Sequence, residues 1–535
     1  MIRIPCGETH GEYFFTEVSQ IQRQGILLLS LFLSLLSHRV GFTAMAAPAH
    51  ADEKQGMAES KGGAASEREM VAFPEGGMQA WATVFGVFII QFCGFGYSTA
   101  FGVFQDFYVR DYLSESSASA ISWIGSMNGF LGVASGLLAG PLYDRGHFRL
   151  LIYSGCALQA VSIFLLSVCQ KQQLYQIFLT QGVLNGLGVG IAYIPSVAVI
   201  SHYFQRKQAL VMALVAVGSP LGALAHPILL NNTLHTSLGF ANSVRISAGI
   251  NTFLLLVACA LVQPRLKAMP EAGNVPIFIG RMRRDWGYVC ATIAMPLFSV
   301  AFWYPLFFIQ LDAVTHGMSQ NFAFYAVGLV LVFKCPRHSR HSLQLVIFNG
   351  AASVGRLAAG PLASWIGILE IVTFSAFMGS VLIFGMISLK TVVSVVMISI
   401  VDGFFAGVVN ALLPPMLAYL TDDPAEVGLR MGVSFSIEGI AELVGVLPST
   451  EPFLGQHWRH TSGGSLLCSV GQITGLAGAF LFLMSVVFDR KKHRLLKLEK
   501  SRRFAQENST RPLETAGNEH QFPVERDGFG AVGQA

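Results

Sequence analysis

The chain has 535 residues, 53% of them hydrophobic and only 12% charged, with a net charge of +4. A water-soluble domain carries about 25% charged residues and must cover its exterior with them, so this composition excludes a soluble fold and requires lipid as the solvent. The mean hydropathy of +0.54 and the 55 glycines agree with that, because transmembrane helices accept Gly and use small residues for close approach.

The N-terminal residues 1–44 contain a twelve-residue apolar run at 25–36 with Arg23 ahead of it. It reads either as a signal-peptide core or as sequence upstream of a true start at Met45. The second reading fits better, because a chain of many spans with a cytoplasmic N-terminus needs no cleaved signal. Residues 45–80 are polar and rich in small side chains, and are expected to be a disordered cytoplasmic tail.

A helix needs roughly 20 residues to cross the hydrocarbon. Reading onward, 81–105, 119–142, 150–169, 174–200, 209–230 and 244–262 qualify as six spans. A polar cytoplasmic loop, 263–286, follows. Six more spans come next: 287–311, a broken segment at 322–362, 366–389, 392–420, 431–447 and 465–488. Residues 489–535 are a cytoplasmic tail, disordered from about position 506 on. The domains are therefore a six-helix bundle over 81–262 and a second over 287–488.

Lys and Arg set the orientation. Arg145, Arg149, Arg206, Lys207, the five cations of the central loop and eight more between 490 and 503 all fall on one side. That side is expected to be cytoplasmic and to hold both termini. The sequon Asn231-Asn232-Thr233 falls outside, close to the membrane. The eight cysteines form no CxxC pair and no His/Cys cluster, so neither a metal site nor a disulfide framework is expected. There is also no nucleophile–base constellation, no HExxH and no phosphate-binding Gly loop, so an enzyme is not expected.

The two halves share a pattern. Ala139-Gly140-Pro141-Leu142 closes span two and Ala359-Gly360-Pro361-Leu362 closes span eight, each after a helix containing Asn-Gly. Duplicated halves with a midplane site between them are how many carriers build alternating access.

Gly140-Pro141-Leu142-Tyr143-Asp144-Arg145-Gly146 resembles the loop motif of the major facilitator superfamily. The resemblance implies an all-α membrane protein with twelve helices in two six-helix bundles, and a gating role for Gly140, Asp144, Arg145 and Arg206. Two further stretches, Phe73-Pro74-Glu75-Gly76-Gly77-Met78-Gln79-Ala80-Trp81 and Tyr203-Phe204-Gln205-Arg206-Lys207-Gln208-Ala209, resemble the signatures of its fungal monocarboxylate-transporter-like branch. That branch implies a proton-linked or passive carrier of small organic anions with no cofactor. Its expected partners are the bilayer, a small organic solute and a coupling proton. No nucleic acid is expected, and an ancillary membrane partner is left open. The plasma membrane is the expected location, with an internal membrane such as the vacuole as the alternative.

A charge at the bilayer centre costs about 2.5–3.5 kcal/mol on insertion scales, so each one needs a reason. Arg356 resembles the family's carboxylate-gripping arginine, and a guanidinium can hold a carboxylate through two parallel hydrogen bonds. The alternative is a packing cation facing a carbonyl. The family's Asp one turn earlier is here Ala352, and its intramembrane Lys is here Thr99. Both departures weaken lactate-type proton coupling and leave open a larger neutral or aromatic metabolite, or a non-transporting relative. Asp402 and the i, i+4 pair Glu438 and Glu442 are the remaining proton-coupling candidates. Thr99, Asn185, Tyr193, Tyr304, Phe307 and Asn410 are the candidate lining residues beside Arg356.

One stretch breaks the pattern. Removing residues 328–345, which include Lys334, Arg337 and Arg340, restores the family spacing between Phe322 and Asn349. Residues 448–464 break the pattern in the same way at the end of span eleven. The hypothesis is that 328–345 is translated intron. Sequencing the transcript checks it: a spliced message without these codons is expected, and one that still encodes them sinks the idea.

Overall fold

The computed structural model describes residues 75–234, 238–265, 275–315, 340–386, 392–423, 426–445 and 463–510. Lipid offers no hydrogen-bond partner to a backbone, so every N–H and C=O must be satisfied inside the segment, and the described chain answers with helices. Among the described residues they form twelve rods. The first six are α1 (Met78–Tyr112), α2 (Ala118–Asp144), α3 (Phe148–Leu166), α4 (Leu174–His202), α5 (Gln208–Leu234) and α6 (Gly239–Leu261). After a short connecting helix, Val275–Arg284, come α7 (Trp286–Thr315), α8 (Arg340–Ile366), α9 (Ile368–Met386), α10 (Val392–Tyr419), α11 (Val427–Gly445) and α12 (Gly463–Thr510). Eight of these rods are long and apolar enough to cross a membrane, and α7 and α9 contain shorter apolar helices.

Several rods bend where the sequence supplies a cause. In α2 the Ser135 hydroxyl donates to the Leu131 carbonyl at 2.6 Å, a back-bond that competes with the helix ladder and marks the break at that residue. Pro141, Pro195, Pro227 and Pro361 each remove one ladder bond inside a rod.

The bundles meet where α2 crosses α11. Gly136 and Gly140 on α2 face Gly432 and Gly428 on α11, both pairs at the i, i+4 spacing. A Cβ on Gly140 would collide with the Gly428 carbonyl, and one on Gly432 with the Gly136 carbonyl. Only hydrogen at these four positions lets the backbones touch, which in lipid replaces the hydrophobic drive that water would supply. A second crossing brings Gly360 of α8 against Leu210 of α5.

Three boundaries differ from the sequence reading. The central loop 263–286 contains a helix, Val275–Arg284, whose last turn carries Arg281, Arg283 and Arg284 where cations complement the helix dipole. The last rod runs to Thr510, past the expected onset of disorder at about 506. Its extension is rich in Lys, Arg, Leu and Glu and has no Gly or Pro between 479 and 510, so nothing in it stops a helix. The sequon lies inside the last turn of α5, where the Thr233 hydroxyl donates to the Leu229 carbonyl at 2.9 Å. The stretches 1–74 and 448–462 lie outside the described residues. So does most of the suspected insertion, of which residues 340–345 open α8. The chain divides after Val486 into two compact units, the second of which includes the remaining turns of α12.

Candidate functional site

At mid-length the junction of the bundles gathers polar groups. Arg356 on α8 donates from Nη1 to the carbonyl of Ala216 on α5, while its buried Nε has no partner among the described residues. Tyr193 on α4 stands edge-on to Phe95 of α1 at 4.8 Å and to Phe435 of α11 at 5.4 Å between ring centroids. Its hydroxyl is within electrostatic reach of Glu438, Arg356 and Glu442. Glu438 is 5% exposed and accepts from the Ser299 hydroxyl of α7 at 2.8 Å. Its second oxygen, Oε2, is buried without a partner among the described residues. One turn on, Glu442 reaches the other bundle, where a Cβ on Gly129 would lie 3.0 Å from its Oε2. Asn185 is buried on α4, its Oδ1 also unpartnered among the described residues.

The remaining sequence candidates are placed differently. The Thr99 hydroxyl donates to Phe95 O at 2.8 Å and the Asn410 amide to Ala406 O at 2.9 Å, each on its own helix. Tyr304 and Phe307 lie on α7, with side chains outside the described residues. Asp402 lines a small cavity within the C-terminal bundle, with Phe298 and Phe302 of α7 and Ser380 of α9, and among the described residues no N-terminal one borders it. The structure therefore unites Arg356, Tyr193, Glu438 and Glu442 but not Asp402.

The end of the bundles that carries Asp144 is closed. The Asp144 carboxylate accepts from the backbone N–H of Gly428 at 3.0 Å and of Leu429 at 2.7 Å, the orphan donors of the first turn of α11. One bundle thus caps a helix of the other. Arg145, expected to share this lock, is instead exposed at the C-terminus of α2, where it makes no ion pair among the described residues. The buried cation at this end is Arg430, which the sequence reading missed and which pairs within the C-terminal bundle. That guanidinium pairs with Glu426 and Asp285, each at 3.2 Å, and sits 5.1 Å over the Tyr288 ring. Arg281 adds a contact to Glu426 at 3.0 Å. The i, i+4 spacing of Glu426 and Arg430 at a helix start was the available signal.

At this same end the two branch-like signatures meet. The Glu75 carboxylate accepts from the backbone N–H of Gln205 at 2.9 Å, Arg206 at 2.6 Å and Lys207 at 3.3 Å. The Trp81 ring stands edge-on to Phe204 at 5.7 Å. Arg206 thus enters this end through its backbone N–H as well as its charge. Partial burial pushes the Glu75 carboxyl up, but the three N–H groups and the Arg206 charge outweigh it and hold the group below its usual range.

The family model of the Major Facilitator Superfamily matches residues 83–446. The aspyridones efflux protein apdF of Emericella nidulans is 32% identical over 70% of this chain and 72% of its own length. MFS-type transporter 1 of an Ophiocordyceps species is 32% identical over 77% of this chain and 86% of its own. A crystal structure of the transporter FucP in the outward conformation overlays with a TM-score of 0.55 at 14% identity, covering 76% of this chain and 99% of that one, which shows the shared fold. The first two of these relatives come from fungi, and together the comparisons show the superfamily.

Two outcomes follow from the closed end. Replacing Asp144 by Ala removes a cap worth about 0.5–2 kcal/mol, so the closed-to-open ratio should fall by roughly 2- to 30-fold. Spin labels at positions 149 and 422 read this as a growing long-distance population, and an unchanged distribution would refute the cap. Because the Glu75 carboxyl is held low, its contribution is present above the ordinary carboxylate range and lost as pH falls through the folded value. Acid should therefore destabilise the native protein more than Glu75→Gln in thermal melts, and parallel acid profiles would show that the clasp carries no stability.

The chain belongs to the Major Facilitator Superfamily: it is a multi-pass membrane transporter and not an enzyme.

Proposed function

We propose that the protein exports a small organic metabolite with an acidic group and an apolar, ring-bearing body, by alternating access. The observation that carries this is the junction itself. Among the described residues Arg356 Nε and Glu438 Oε2 are buried without partners beside the Phe95, Tyr193 and Phe435 rings. A buried unpaired polar group costs about 1–3 kcal/mol, which a solute bearing donors and acceptors would recover. The aromatic rings offer edges and faces to a conjugated solute body. The name of the Emericella relative, an efflux protein for aspyridones, supports the direction.

A monocarboxylate-like anion is the second reading, favoured by Arg356, since a guanidinium can grip a carboxylate in two-point fashion. In both readings Glu438 and Glu442 are the groups that would exchange a proton with the solute. The Lys and Arg bias puts the closed end and both termini in the cytoplasm, so this conformation would face outward, in the plasma membrane.

Proteoliposomes loaded with a panel of labelled ring-bearing acids, simple monocarboxylates and neutral solutes test the proposal, with and without a pH gradient. Transport of at least one ring-bearing acid is expected. Arg356→Ala should lower its rate by roughly tenfold or more, the equivalent of a charged hydrogen bond of about 1.5–3 kcal/mol. Transport of monocarboxylates alone would select the second reading, and transport of no acid would defeat both.

A further inference from the structure

The last rod does not stop where the membrane would. α12 continues as one helix to Thr510, and between positions 490 and 503 it carries eight Lys and Arg against a single acid, Glu499. Arg490, Arg494, Lys497 and Lys500 follow one another at i, i+4, i+7 and i+10, a continuous stripe on an α-helix. Among the described side chains Arg490, Lys491, Arg494, Lys497 and Arg502 are exposed. Three leucines are exposed with them: Leu495 at 57%, Leu496 at 52% and Leu498 at 58%. Asp489, at the foot of the extension, faces His493 at 3.6 Å.

Nothing in the transport reading uses this segment. Cations interleave with the leucines on every side of the helix, so no face is apolar enough to pack against a protein core. A headgroup layer accepts that mixture: phosphate and carboxylate groups meet the Lys and Arg heads, while their aliphatic stems and the leucines enter the interface.

We propose that the extension of α12 past Phe488 docks on anionic phospholipid headgroups of the leaflet from which it emerges. Two observations choose lipid over an acidic protein. The first is charge, strongly positive over fourteen residues. The second is continuity: the segment extends directly from a rod long and apolar enough to cross the membrane. At 1.5 Å per residue its first turns stay within about one Debye length, ~8 Å, of the headgroups, so attraction acts before any bending. Juxtamembrane polybasic segments are drawn to anionic leaflets by this field.

The test uses the full chain in lipid nanodiscs, which expose both faces, with hydrogen exchange read at the backbone amides of 491–504. In discs containing phosphatidylserine, exchange should be slower by roughly tenfold than in phosphatidylcholine discs, and molar salt should erase the difference. A quadruple variant, Lys491→Gln, Lys492→Gln, Lys497→Gln and Lys500→Gln, keeps the helix formers, removes half of the eight cations and should show a clearly smaller dependence on lipid charge. Equal exchange in the two disc types overturns the proposal. Protection that survives salt or is undiminished in the quadruple variant also overturns it, since attraction between charges would then not be the cause. Solute transport measured in the same discs after re-reconstitution into vesicles checks that the variant is folded.

Discussion

The architecture depends on how closely α2 and α11 approach each other. In lipid, two helices gain nothing by hiding apolar surface, so what holds them is contact between backbones. Gly136, Gly140, Gly428 and Gly432 remove the Cβ atoms that would hold the two rods apart. Once the backbones touch, Asp144 reaches the first-turn N–H groups of Gly428 and Leu429, and Ser436 on α11 donates to the Ala134 carbonyl on α2 at 3.0 Å. Farther along the same seam Glu442 lies against Gly129. Closure at one end and the glutamate pair at mid-length thus lie along one helix pair.

This continuity suits a carrier. The contacts that must break for the bundles to separate at the closed end are hydrogen bonds from a carboxylate to a helix terminus. Such bonds are individually modest and can form or vanish as a unit. The charges that stay within the C-terminal bundle behave otherwise. Arg430 is 4% exposed and is held by Glu426, Asp285, the Leu420 carbonyl and the Tyr288 ring. Removing either partner would leave a buried charge uncompensated, which is costly. The cluster therefore fixes the start of α11 inside its own bundle, so that the terminus Asp144 caps is presented as a rigid object.

Of the site, the sequence made legible the residues whose oddity is local. Arg356, Glu438 and Glu442 stand out because any charge in an apolar run stands out. Ser299, Phe95 and Phe435 did not, because a serine or phenylalanine in a membrane helix is ordinary until its neighbour is known. Thr99 and Asn410 show the converse. Both look like polar groups awaiting a solute, yet each hydrogen-bonds a carbonyl on its own helix, an option open to short polar side chains in any helix.

The sequence by itself determined that the chain lives in lipid, that it is helical throughout its spans, and that its two halves share a pattern. Hydropathy and periodicity are sums over some 20 neighbouring residues, and the lipid solvent punishes any other backbone. Only the tertiary structure decided which of the unusual residues act together. Asp144 meets partners 284 and 285 positions away, and Ser299 meets Glu438 at a separation of 139. Glu75 likewise meets the backbone of 205–207, joining two motifs that the sequence showed only as separate strings. Such pairings depend on how rods cross, and the crossing is set by where small residues let backbones touch, a property of two distant segments jointly.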